Sequence, residues 1–87
     1  MTFRIEAANR GMVRVFILSG RIERPAIAEL RRLFELETDH SEMVLDLKNV
    51  GVIDRDVMRF FMHCEEHGVK LDNCAPYIRE WMERERD

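Results

Sequence analysis

The chain has 87 residues, 46% of them apolar and 36% charged, which suits one domain near the lower size at which a single core holds without disulfides or metals. Fourteen basic against seventeen acidic residues leave a net charge of −3, and no Lys/Arg cluster is interleaved with aromatics, so nucleic acid is not an expected partner. The longest unbroken apolar run, Val15 to Leu18, falls far short of the roughly 20 residues that cross a bilayer. The first residues also lack a secretion pattern, so a cytoplasmic protein without membrane insertion is expected.

Phe3, Ile5 and Ala7 alternate with Arg4 and Glu6, the period of a strand wet on one face, and Asn9-Arg10-Gly11 supplies a hairpin turn. Met12 to Leu18 is apolar apart from Arg14, as in a central strand covered on both faces, and Ser19-Gly20 is expected to end it. Pro25 fits the first turn of a helix on which Ile27, Leu30, Leu33 and Phe34 form the apolar stripe, while Glu29, Arg31, Arg32 and Glu35 face water. Thr38 to Glu42 reads as a polar connector and Met43 to Leu47 as a third strand.

Residues 48 to 53 read as a loop turning at Gly51, and Asp54 is placed to cap a second helix that runs to about His67 and ends at Gly68. Val57, Phe60, Phe61 and Cys64 form its core stripe, with Met58 and Met62 toward the edge, where flexible thioethers suit an adaptable contact. Val69 to Asp72 makes a short fourth strand, and Pro76 begins a third helix with Ile78, Trp81 and Met82 on one side. Its Arg79/Glu83 and Glu80/Arg84 are spaced as i, i+4 pairs, which solubilise and stabilise only slightly.

One hairpin followed by alternating helices and strands predicts an α/β fold, a mixed four-stranded sheet with an antiparallel first pair, the other strands parallel, packed with about three helices. Met12, Phe16 and Leu18 of the second strand share one parity and Val13, Val15 and Ile17 the other, so both of its faces need cover. With two helices on one face, the third helix or a second protomer has to shield the opposite one, which makes a homodimer a possible assembly.

Chemistry-bearing groups are sparse. Cys64 and Cys74 have neither zinc-knuckle spacing nor the number of a disulfide framework and read as small core hydrophobes. His63 and His67, four apart on the second helix, can face one metal but lack a third ligand, and Asp54 with Asp56 would hold Mg²⁺ only weakly. No Ser/His/Asp or Cys/His order and no Gly-rich loop with a following Lys is present, so catalysis and a cofactor are not expected.

Taken in order, Ile17-Leu18-Ser19-Gly20, Ala28-Glu29-Leu30-Arg31-Arg32-Leu33, Val44-Leu45-Asp46-Leu47 and Val52-Ile53-Asp54 resemble the STAS family, the small domain of bacterial anti-sigma factor antagonists. The likeness covers nearly the whole chain. In that family a strand reading V-x-L-D-L-S-x-V leads to I-D-S-S-G and a helix, and a kinase that is also the anti-sigma factor phosphorylates the second serine. Here Arg55 replaces the first serine, Asp56 the second and Val57 the glycine, so the phosphorylation switch does not carry over.

An aspartate suits the position physically, since the first turn of a helix favours an anion by typically ~0.3–1 kcal/mol for an exposed carboxylate. It mimics a phosphoserine incompletely and cannot be removed. The resemblance therefore implies a non-catalytic signalling module that docks on a protein, either an anti-sigma factor/serine-kinase-type ATPase or, in the alternative, a transport ATPase to which it is an accessory subunit. A self-associating scaffold is a further alternative. The contact residues it implies are Asp54, Arg55, Asp56, Val57, Met58 and Met62.

Overall fold

A computed structural model describes residues 3–37 and 42–86. The elements follow as β1 (Phe3–Arg10), β2 (Val13–Ile22), α1 (Arg24–Leu36), β3 (Glu42–Ile53), α2 (Arg55–Glu66), β4 (Lys70–Asp72) and α3 (Pro76–Arg86). The strands lie in the order β1-β2-β3-β4, with β1 antiparallel to β2 and the pairs β2/β3 and β3/β4 parallel. This is the mixed four-stranded α/β architecture that the alternation of periods predicts. Most of the connector expected from Thr38 to Glu42 lies outside the described residues, and Glu42 itself opens β3.

The first turn is tighter than the sequence suggests. Asn9 and Arg10 remain in the ladder, Arg10 pairs with Val13, and Gly11-Met12 alone makes the bend, with Gly11 at φ 62°. A positive φ at the first central position matches the right-handed twist of the two strands, which is why glycine stands there.

Two strands run past their expected ends. β2 does not stop at Ser19-Gly20 but continues to Ile22, and residues 48 to 53, expected as a loop, extend β3 to Ile53. Ser19, Gly20, Arg21 and Ile22 pair with Asn49, Val50, Val52 and Ile53. The register shifts between Ile17 and Ser19 and again between Gly20 and Arg21. Each shift places an extra residue in β3, so Lys48-Asn49 and Gly51, which read as turn formers, are absorbed as bulges instead.

The core lies between the sheet and the helices. Phe16, Leu18 and Ile22 of β2, Leu45, Leu47 and Ile53 of β3, and Leu71 of β4 meet Ala26 and Leu30 of α1, five residues of α2, and Ile78 and Met82 of α3 in one cluster. Phe34 bridges the helices to the strands, its ring 5.4 Å from Phe16 and 6.2 Å from Phe60. Burying a side chain of this size stabilises by about 1.5–3 kcal/mol.

All three helices contribute to that cluster, so α3 does not shield the opposite face of the sheet, contrary to one of the two expectations. Val15 and Val44 are Cα partners on that face and are 1% and 5% exposed. The register sets Ala8 beside Val15 and Lys70 beside Val44. Among the described residues the three helices pack on the other face, and Val13 and Ile17 stay half-buried on this one.

Asp46 fixes the far end of this face. Its Oδ1 accepts the Lys48 backbone N–H at 3.0 Å, at the first bulge, and the Asn73 side-chain amide at 3.0 Å. Asn73 sits in the left-handed region at φ 57°, in the turn between β4 and α3. The Asn73 hydrogen bond holds the Asp46 carboxyl below the usual carboxylate range; burial opposes it, and the Lys48 backbone bond and the Arg10 and Lys48 charges assist it.

Candidate functional site

Because β2 and β3 are parallel and end as the pair Ile22↔Ile53, α1 and α2 start side by side at the carboxyl ends of these two central strands. Glu23, the N-cap of α1, offers no side-chain hydrogen bond to its helix. Asp54, the N-cap of α2, serves both helices: its Oδ1 accepts the Val57 N–H at 2.9 Å and its Oδ2 the Arg24 N–H at 3.1 Å. Capping of α2 by Asp54 is as expected from the sequence; the second bond across to α1 is an addition.

Asp56 lies in the first turn of α2 and accepts from Arg24 Nε at 3.0 Å. Both side chains are open to solvent, 45% and 80% exposed, so the pair adds little stability and leaves Asp56 accessible. Two helix N-termini and two carboxylates thus share one corner, and the negative charge sits where the helix dipoles favour it.

From this corner a groove of about 550 Å³ runs between the helices. Arg24, Ile27, Ala28 and Arg31 line it from α1, and Asp56, Arg59, Phe60 and His63 from α2. Each set follows the i, i+3, i+4, i+7 spacing of one helical face. Ile27, Ala28 and Phe60 form an apolar floor, and Arg31 stacks over the Phe60 ring, 5.4 Å from its centroid.

The rim is unevenly neutralised. Arg59 pairs with Glu85 of α3 at 2.8 Å and Arg24 with Asp56, whereas Arg31 makes no ion pair among the described residues. The groove therefore carries a surplus of positive charge on a protein whose net charge is −3.

The six residues expected at a contact surface separate. Asp54, Arg55 and Asp56 lie at the corner, and Met62 is half-buried against the core. Val57 and Met58 are 0% exposed, so neither offers a side chain to a partner. Met58 does not sit at the edge of the α2 stripe as expected: α2 is flanked by both the sheet and α3, and the buried arc widens to Val57, Met58, Phe60, Phe61 and Cys64.

Arg24, Ile27, Arg31 and Arg59 were not singled out by the sequence as members of one surface. The only signal was the matching helical spacing of the two sets, and nothing local states that those two faces are neighbours.

The remaining candidates have structural surroundings. Cys64 is buried, and burial pushes its thiol up to about 12, which keeps it protonated at neutral pH; burial also raises the half-buried Cys74 thiol. The His63 and His67 rings lie tilted at 38° with centroids 4.1 Å apart, and His67 Nδ1 lies 2.9 Å from the His63 carbonyl oxygen. Among the described residues no group of three or more His, Cys, Asp or Glu is placed to hold a metal ion, and no helix is long and apolar enough to cross a membrane. Comparison with protein-family models and with curated proteins returns no match.

Proposed function

We propose that this protein is a non-catalytic, cytoplasmic interaction module, similar in role to an anti-sigma factor antagonist, which docks on a protein through the α1/α2 corner and groove. The observation that carries this reading is the groove itself: an apolar floor rimmed by Arg24, Arg31 and Arg59, opening beside the exposed Asp56. Such a surface complements a segment that presents apolar side chains flanked by carboxylates. Asp56 is a permanent charge where the resembled family places a removable phosphate, so binding here is set by the presence of the partner rather than by modification.

The test is a pull-down from the native host's lysate with wild type, Asp56→Arg and Arg31→Glu, followed by titration of the recovered protein. One protein held by wild type and weakened at least about tenfold by Arg31→Glu supports the reading. Equal retention by all three baits removes the groove from consideration. A second reading, a self-associating scaffold, is favoured by the outer edge of β1, which pairs with no further strand among the described residues.

A further inference from the structure

The structure assigns a second copy of this chain, paired antiparallel about a two-fold axis through Ile5, to the outer edge of β1, which pairs with no further strand among the described residues. This inference rests on the second reading above and is independent of the α1/α2 groove.

β1 is an outer strand of the sheet, and its register with β2 runs unbroken from Phe3↔Gly20 to Arg10↔Val13. Arg10 and Val13 form the last pair before a two-residue turn, so they exchange both backbone hydrogen bonds. Alternation then directs the N–H and C=O groups of Arg4, Glu6 and Ala8 toward β2 and those of Phe3, Ile5, Ala7 and Asn9 toward the open edge. Proline, bulges and edge lysines, the usual protections of such an edge, are absent from Phe3–Arg10.

A two-fold axis at Ile5 uses this edge without conflict. It sets Ile5 opposite its own copy and Phe3 opposite Ala7, all residues whose backbone groups point outward, so every cross-strand pair made by them is hydrogen-bonded. Arg4 then faces Glu6 of the second copy, and Glu6 faces its Arg4, at non-hydrogen-bonded positions where side chains approach most closely. Within one chain Arg4 Nε and Glu6 already lie 3.4 Å apart, on the face away from the core, with side chains 74% and 54% exposed. Pairing two such strands produces a checkerboard of alternating charge. Any in-register parallel pairing instead sets Arg4 against Arg4.

The same pairing brings together apolar surface. Phe3 and Ile5 are partly buried on the core cluster, and Ala7 is exposed. In the dimer these three residues meet their counterparts on the helix-covered side of a continuous sheet. A strand-pair interface falls near or below the ~1,200 Å² end of stable complexes, so the expected dissociation constant is on the order of micromolar.

Static light scattering of the whole chain tests this, with far-UV circular dichroism confirming the fold. Wild type at about 100 µM is expected to give a dimer mass. Ala7→Pro removes an outward N–H without touching the ladder to β2, and it is expected to give a monomer. Arg4→Glu and Glu6→Arg should each raise the dissociation constant about tenfold or more, and the double variant Arg4→Glu/Glu6→Arg should return it to within about threefold of wild type.

A monomer mass for wild type at about 100 µM overturns self-association as a whole. A wild-type dimer that survives folded Ala7→Pro, or that the charge swap does not rescue, overturns the β1 assignment and leaves self-association to another surface.

Discussion

Two corners of the molecule are each organised by an aspartate of the Asp46–Asp54 stretch, and they differ in what surrounds the carboxylate. Asp46 is 9% exposed, and both its partners belong to the protein itself, the Lys48 N–H at a bulge of β3 and the Asn73 amide in the turn before α3. At the other corner Asp54 has the same role for two helix starts, but its neighbour Asp56 meets, among the described residues, only the exposed Arg24 and is 45% open to water. One residue type thus does two jobs. Burial with several donors makes a carboxylate a structural latch, and exposure beside a groove leaves it available to something else.

The largest effect that sharpens this contrast comes from inside the second corner. Met58→Ala is expected to cost about 2–5 kcal/mol in urea unfolding, since a fully buried side chain leaves a cavity; a cost of a few tenths would return Met58 to the surface. Next comes Asp54→Ala, which unfastens two helices at once and should lower stability by about 1–2.5 kcal/mol. For a domain of this size that is a fall in Tm of roughly 4–15 °C.

Asp46→Asn should cost about 1–2 kcal/mol at neutral pH, with a dependence that identifies the group. The folded-state carboxyl titrates below its unfolded value of about 3.9, so its stabilisation is complete above that value and is lost as pH falls through the lowered folded value. The gap between wild type and Asp46→Asn is therefore constant from neutrality to about pH 5 and closes below about pH 4, which unfolding curves at several pH values would display. Smallest of all, Asp56→Ala is expected to move stability by no more than about 0.5 kcal/mol. A loss above about 1.5 kcal/mol would make Asp56 a latch like Asp46 and erase the contrast.

The legibility of these corners in the sequence follows from whether their cause is local. The Asp54 cap was readable because an acid before an apolar-periodic segment satisfies donors three residues away. Strand and helix periods in Phe3–Ala7 and Arg24–Leu36 were readable for the same reason. The continuation of β3 through Gly51 was not, because Lys48, Asn49 and Gly51 have turn chemistry and only pairing with Ser19–Ile22 holds them extended. Nor did the helical wheel of α2 report that α3 closes its second flank and draws Met58 inside. The groove depends on two helices being neighbours, which the parallel β2/β3 pair decides and no single segment records.

The shared cap at Asp54 has a kinetic consequence. A helix start normally frays by itself, but here the Arg24 and Val57 amide protons are held by the two oxygens of one carboxylate. Rotation of that side chain releases both, so α1 and α2 begin to open as one unit. Hydrogen exchange should then report closely similar protection for these two amides, 33 positions apart in the chain, with both losing it together in Asp54→Ala.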